Sequence, residues 1–251
     1  MSEWKKFVAF GDTHGDMVHQ PTLDAFSKFI KDFKPDYKIH IGDLFDFRAL
    51  RQGIKATESD AYDDLKADTL KGHQILETIQ PDVLLLGNHD HRIVRVAEEH
   101  ANGLMREAAA TGIGRLEKTC RKTKTRIIPY HYDKGVYNID DIYFTHGYTA
   151  NQRSVAQHAE YFGSGINSSV VMGHIHRIEV QPGRTHGRAK GYSIGCMCNF
   201  EAMSYAAHRL GTSLWEHAWA YGITSKKGHQ IWIARKTGNE WILPTELITI
   251  G

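Results

Sequence analysis

The apolar positions of the chain fall first into short blocks that end at glycine or a charged turn. Phe7-Val8-Ala9-Phe10 stops at Gly11, which predicts a buried strand feeding a tight loop. From Pro21 to Phe33, Leu23, Phe26, Ile30 and Phe33 recur at helical spacing, and Lys34-Pro35-Asp36 closes that helix. Strand character returns from Tyr37 to Ile41 before Gly42, which completes one strand, helix, strand unit. A second helix is predicted from about Ser59 to Ile79, where Leu65, Leu76 and Ile79 share a side, followed by the strand Val83-Leu84-Leu85-Leu86. This alternation implies a parallel, buried sheet covered by helices.

Beyond residue 92 the spacing predicts a helix from Ile93 to about Ala110 and then a Gly- and Lys-rich connection. Shorter strands follow at Ile127-Ile128-Pro129-Tyr130, Ile142-Tyr143-Phe144, Ser169-Val170-Val171-Met172 and Tyr192-Ser193-Ile194. The carboxyl end reads as a β meander of Ala218 to Thr224, Gln230 to Ala234 and Trp241 to Leu247. With no repeat or linker in between, residues 1–251 are expected to form a single layered α/β domain with two sheets.

Five polar segments each begin where an apolar run stops: Gly11-Asp12-Thr13-His14-Gly15-Asp16, Gly42-Asp43-Leu44-Phe45-Asp46, Gly87-Asn88-His89-Asp90, Thr145-His146-Gly147 and Gly173-His174-Ile175-His176. In open α/β sheets, ligands bind where the loops leave the carboxyl ends of the strands, so five such loops can build one site. Their carboxylates, amide and imidazoles are the donor chemistry of a paired metal centre. Asp12 and His14 can converge on one ion, and His174 and His176 repeat that spacing. A carboxylate can touch two ions roughly 3.5–4 Å apart, and Asp43 is the candidate bridge. Nitrogen and oxygen donors without thiolates favour manganese, iron, zinc or similar ions over copper(I).

In order and in position behind strands, these segments resemble the five signatures of the calcineurin-like metallophosphoesterase superfamily, over residues 12 to 176. The resemblance implies a layered α-β-β-α fold with two packed mixed sheets flanked by helices. It implies two divalent metals, manganese first, with iron, zinc, nickel or cobalt as alternatives. Asp12, His14, Asp43 and His176 would hold one ion, and Asp43, Asn88, His146 and His174 the other. A hydroxide bridging the ions would attack phosphorus. Asn88 and His89 would contact the phosphate, and His89 would protonate the leaving oxygen, a role that suits an imidazole. Asp46 occupies the position that orients this histidine. Asp16 and Asp90 are expected to support the loops rather than to ligate.

The resemblance narrows the substrate less well. Protein phosphatases of the superfamily continue the second segment as Gly-Asp-x-x-Asp-Arg-Gly, whereas Phe47 follows Asp46 here. The string is more similar to repair exonucleases and small phosphodiesterases, and 251 residues suit a compact phosphodiesterase of the kind phages encode. Hydrolysis of nucleotide-like or other small phosphodiesters is therefore expected, with a single-strand nuclease, a phosphomonoesterase or protein phosphatase, and last a non-catalytic scaffold, as alternatives.

Composition adds bounds. The 31 basic and 29 acidic residues leave a charge of +2, so nucleic-acid affinity does not follow from net charge. Local basic stretches carry that option: Arg48, Arg51 and Lys55; Arg115 to Arg126; and Arg184, Arg188 and Lys190. Arg92, three residues after His89, and Arg48 are the cations expected nearest a substrate. Trp215, Trp219, Tyr221, Trp232 and Trp241 are read as packing residues before base-stacking ones. Cys120, Cys196 and Cys198 are too few for a disulfide framework, and the last two are read as small buried residues. The histidines outside the five segments, His40 and His158 among them, are expected at the surface. No run approaches the roughly 18 apolar residues of a membrane helix, and no signal sequence precedes Phe7, so a cytoplasmic protein is expected.

Overall fold

A computed structural model describes residues 4–55, 57–63, 65–184, 189–203, 210–241 and 243. Arg188, His186, His208 and the 244–247 end of the expected last strand lie outside the described residues. The chain order is β1 (Lys5–Phe10), α1 (Gln20–Phe33), β2 (Tyr37–His40), α2 (Lys66–Ile79), β3 (Val83–Leu85), α3 (His91–Glu99), α4 (Gly103–Thr123) and β4 (Arg126–Ile128). It continues through β5 (Val136–Ile139), β6 (Ile142–Thr145), α5 (Ser154–Phe162), β7 (Ser169–Met172), β8 (Ile178–Pro182) and β9 (Lys190–Ile194) to the meander β10 (Ala218–Ser225), β11 (Gly228–Thr237) and β12 (Glu240–Trp241).

Two mixed sheets result. The first has the order β12-β11-β10-β1-β2-β3-β4, with β1 to β4 parallel and the carboxyl-terminal meander added antiparallel to β1. The second has the order β5-β6-β7-β9-β8, and its β6, β7 and β9 run parallel. Because side chains alternate along a strand, β1 divides its residues between two cores. Phe7 and Ala9 meet Ile39, Ile41, Phe144 and Val171 between the sheets. Val8 and Phe10 face Phe26, Phe29, Leu76 and Trp219 under the helices. Helix α5 covers the far side of the second sheet, where Val155 packs on Met172. The layers are thus helix, sheet, sheet, helix.

The predicted strands up to Ala234 stand where their apolar runs placed them, the last is described only as Glu240–Trp241, and two helices differ. In place of one helix from Ser59, a 3-10 turn over Ser59–Tyr62 precedes α2, and Leu65 sits in the left-handed region at φ 58°, which breaks the helical path. The expected helix after Ile93 is two: α3 ends at His100 in extended backbone, and Asn102 starts α4 by accepting from the Leu104 N–H at 2.9 Å. The expected Gly- and Lys-rich connection is the rest of α4, because Ala109, Leu116 and Cys120 bury a stripe that outweighs Gly112 and Gly114. Strands β5 and β8 and helix α5 escape sequence reading, since both strands are sheet edges with few buried positions. Among the described residues no helix is long and apolar enough to cross a membrane.

The two sheets are held by aromatic contact at their centre, where the Phe7 and Phe144 rings meet edge to face at 5.6 Å. Replacing Phe144 by Ala is expected to lower stability by about 3–5 kcal/mol, read as a shift of the urea unfolding midpoint.

Candidate metal centre

All five polar loops leave the carboxyl ends of β1, β2, β3, β6 and β7 and are laced to one another by backbone bonds. The N–H groups of Asp12, His14 and Gly15 donate to the carbonyls of Gly42, Asp43 and Leu44, at 2.8–3.0 Å. Asp90 accepts from the N–H groups of Leu44, Phe45 and Gly87, so the third loop carries the turn of the second. Asp68, from α2, does the same for Asp46 and Phe47. Burial and the nearby Asp43 push Asp90 up to about 7, and burial pushes Asp68 up to about 6. Glycine is required where loops touch: a Cβ on Gly87 would overlap the Asp43 carboxylate, and one on Gly173 would overlap that of Asp12.

Within this lacing the expected ligands converge. On one side, His176 Nε2 lies 3.1 Å from Asp12 Oδ1 and 3.3 Å from His14 Nε2. On the other, Asn88 Oδ1 lies 3.0 Å from His146 Nε2 and 2.8 Å from His174 Nδ1. Asp43 Oδ2 stands between the groups, 3.8 Å from His14 Nε2 and 3.4 Å from His146 Nε2. The other Asp43 oxygen accepts the His89 N–H at 2.8 Å, so only one oxygen faces the centre. Asp12, His14, Asp43, His174 and His176 all have positive φ, between 50° and 70°. Side chains seldom adopt that region, and its use by five neighbours in one site marks stored strain.

The donor chemistry fits divalent cations. His14 Nδ1 donates to Asp46 Oδ1 at 2.9 Å, and His146 Nδ1 donates to the Ile41 carbonyl at 3.0 Å. In the neutral rings both Nε2 atoms therefore carry lone pairs aimed at other acceptors. Protons supply the missing positive charge: although burial opposes a charged ring, Asp43 and Asp12 push His146 up to about 9, and Cys196 and Asp12 push His176 to the same value. Burial wins at His174, which falls to about 3. Burial would raise Asp12 and Asp43, but the imidazoles of His176 and His146 hold both below the usual carboxylate range. Lone pairs of carboxylates, imidazoles and one amide crowded out of water are what a hard or borderline cation reconciles.

His89 lies against this set, its Nε2 3.9 Å from Asp43 Oδ2 and its ring 4.6 Å from that of His14, but has partners of its own. Its Nδ1 lies 2.8 Å from Asp46 Oδ1, and Arg92 Nη2 lies 3.2 Å from its Nε2. A guanidinium only donates, so Nε2 accepts and the ring proton sits on Nδ1, donating to Asp46. Arg92 also donates to the Asp46 carbonyl at 2.8 Å. Asp46 thus orients both His14 and His89 through one oxygen, a double role that the spacing of the segments does not reveal. Burial raises Asp46, yet those two hydrogen bonds outweigh it and hold the group ionised.

A cavity of about 420 Å³ opens onto Asp43, Asn88, His89, His174 and His176. Arg92 lines it as expected, but Arg48 does not. The Arg48 guanidinium is captured by Asp16, with two contacts of 2.8 Å, and by Asp63, because two carboxylates match its fork better than open solvent does. Arg51 and Arg177 line the cavity instead, and Trp215 sets its ring edge against His176 at 4.3 Å. Arg177 was signalled only by following His176, whereas nothing in the sequence separates Trp215 from the buried Trp219. The densest basic run lies on α4, where Lys122 pairs with Glu77 and Arg121 with Glu117, away from the cavity.

Two further expectations change. Cys198 is buried, as read, but its Sγ is 3.7 Å from His176 Nδ1 and 3.5 Å from Cys196 Sγ, so thiols back this imidazole. His40 and His158 are buried rather than at the surface. His158 joins α5 to the fourth loop, donating to the Ser154 carbonyl and accepting the Tyr148 N–H at 2.9 Å. His40 accepts the Gly42 N–H and contacts Thr13 Oγ1, each at 3.2 Å, and burial lowers it to about 3.

Comparison with known proteins agrees with this architecture. The family model described as calcineurin-like phosphoesterase matches residues 5–178. The Gene 54 protein of Mycobacterium phage L5 is 25% identical over 187 residues, which cover 71% of each protein. Among solved structures, a Vps29 single mutant from Entamoeba histolytica superposes with a TM-score of 0.50 at 11% identity, over 94% of this chain and 96% of that one. A metallophosphoesterase from Sphaerobacter thermophilus gives 0.48 at 15% identity, over 94% and 89%.

The buried His40 gives stability a pH dependence. Its folded pKa lies below the unfolded value near 6.5, so between about 3 and 6.5 the unfolded chain binds more protons and stability falls as pH falls. Denaturant titrations at pH 7 and pH 5 are expected to show this loss, at up to about 1.4 kcal/mol per pH unit from this group. His40→Gln, which cannot be protonated, is expected to flatten the profile.

Proposed function

The chain belongs to the calcineurin-like phosphoesterase family, and on that premise we propose that it is a dinuclear metal-dependent phosphodiesterase acting on small, nucleotide-like diesters. The observation that carries the reading is Asp43 Oδ2 standing between two groups of lone-pair donors, with His89 and three arginines around one cavity. Asp12, His14, Asp43 and His176 would hold one cation, and Asp43, Asn88, His146 and His174 the other. Two divalent ions there supply Lewis acidity that activates water and neutralises phosphoryl charge.

The chain's own residues account for the rest of the reaction. Arg92 binds the non-bridging oxygens and orients phosphorus for in-line displacement, while Arg51 and Arg177, which line the cavity but are paired with Glu58 and Glu179, add positive charge at its wall. Asp46 holds His89 with Nδ1 protonated, so Nε2 is the atom that faces the substrate. When Arg92 turns from Nε2 to the phosphate, Nε2 can take a proton from solvent, and the imidazolium, its charge balanced by Asp46, passes that proton to the departing alkoxide and returns to the neutral ring. Alkoxides leave poorly from monoesters and diesters alike, so such an acid serves either, and the choice of a small diester over a phosphoprotein rests on other residues. Phe47 supports the same choice, since it is buried and stacks on Phe45 at 4.9 Å where the phosphoprotein enzymes of the resemblance carry arginine.

The decisive experiment is a metal-reconstituted panel of phosphomonoesters, phosphodiesters, cyclic nucleotides and single-stranded DNA, with small diesters expected to turn over fastest. Asp43→Asn is expected to lose both activity and metal by elemental analysis; two ions retained per chain would remove the bridging assignment. His89→Ala is expected to keep its metal and lose about 10²–10⁴-fold in kcat on alkyl esters, but much less on nitrophenyl esters, whose leaving groups need no proton. An equal loss on both would remove His89 from the role of acid.

A further inference from the structure

The cavity over the metal centre has one wall that the chemistry described so far leaves unused. Most of its lining is charged or offers a ligand, but Gly211, Thr212 and Trp215 form a stretch without charge. Trp215 is half-buried, packing against the buried Cys196, Cys198 and Met203 while it lines the cavity. Its ring contacts among the described residues, with His176 at 4.3 Å and with Phe200 at 6.0 Å, are both edge-to-face. Gly211 borders open space, since a Cβ added there would meet nothing within 4 Å.

Backbone bonds hold this wall against the metal centre. The Trp215 N–H donates to the Thr212 carbonyl, and the next residue, Glu216, donates its N–H to the His176 carbonyl and accepts the Cys196 N–H, each at 3.0 Å. The indole is therefore fixed relative to a candidate metal ligand. Its place differs from that of the acid. Ring contacts run from His89 to His14 at 4.6 Å, from His14 to His176 at 5.2 Å and from His176 to Trp215, so His89 and Trp215 stand at the two ends of this row. In-line displacement sends the leaving group toward its proton donor, and the ester group that stays on phosphorus points elsewhere. A monoester has no such second group.

We propose that Trp215 receives the ester group that stays on phosphorus, and that this group carries a flat, uncharged ring, as a nucleoside does. An indole offers such a ring a broad π surface with no hydrogen-bond pattern to match, so it selects for planarity rather than for one base. One ligand reaches both features without leaving the cavity, because Trp215 touches His176 and both line the same space. The inference rests on the phosphodiesterase reading above and adds to it the residue through which a diester is told from a monoester.

Two diesters with a common leaving group, thymidyl p-nitrophenyl phosphate and methyl p-nitrophenyl phosphate, test it on the metal-loaded protein, because their ratio of kcat/KM reports the retained group alone. The thymidyl ester is expected to lead by about 10-fold or more, mainly through KM. Trp215→Ala is expected to bring the ratio near unity, and Trp215→Phe to keep most of it. Calorimetric binding of thymidine monophosphate against methyl phosphate is expected to show the same margin without turnover. A ratio near unity in the wild type, or one unchanged in Trp215→Ala, overturns the subsite while leaving the phosphodiesterase reading in place. Metal lost from Trp215→Ala by elemental analysis, with both diesters slowed equally, makes the indole a prop for His176 and overturns the subsite as well. Failure of the wild type to cleave either diester overturns both readings.

Discussion

Three carboxylates, Asp12, Asp43 and Asp46, are withdrawn from water at the ends of parallel strands, and the surrounding loops are arranged to keep that charge compensated. A buried carboxylate without a partner costs several kcal/mol, so each must find positive charge or hydrogen-bond donors within reach. Asp46 finds two imidazole N–H groups, from His14 and His89. Asp43 spends one oxygen on the His89 N–H, and Asp12 receives the His174 N–H. What remains is one face of Asp12 and of Asp43 turned toward imidazole lone pairs, a demand for cations built into the fold.

Meeting that demand strains the backbone. Five residues of the centre stand at positive φ, a conformation that costs on the order of 1–3 kcal/mol each. Such positions persist only when their surroundings over-determine them. Here the apolar layer between the sheets anchors each strand up to the residue before its loop, from Phe7 and Ala9 of β1 to Val171 of β7. Asp68 and Asp90 then brace the second loop from outside through backbone N–H groups. Rigid strands and braced loops together fix donor positions that free side chains would not keep.

The same compensation divides the cations near the site. Arg48 is spent on Asp16 and Asp63, so it stabilises loop geometry rather than meeting a ligand. Arg92 contacts the Asp46 carbonyl and His89 and still lines the cavity. Thiols stand behind His176 where a carboxylate or carbonyl is the usual partner of a ligating histidine.

Short-range chemistry was legible in the chain itself. Apolar runs closed by glycine located β1, β2, β3 and β7, and the run before Thr145-His146 located β6, because buried parallel strands need continuous apolar residues and their loops need sharp turns. The five polar segments identified the residues that converge, since each lies within a few residues of the end of its strand. Sequence could not show which cations are captured, as with Arg48, nor that Asp46 serves two histidines, nor that Trp215 departs from the other tryptophans. It also missed β5 and β8, edge strands with few buried positions, and α5, whose buried face is made of the small or polar residues Ser154, Ala156, His158 and Ala159 beside Val155. Strand-end motifs are local and survive in sequence, whereas ion pairing, cavity walls and loop bracing depend on residues far apart in the chain that only packing brings together.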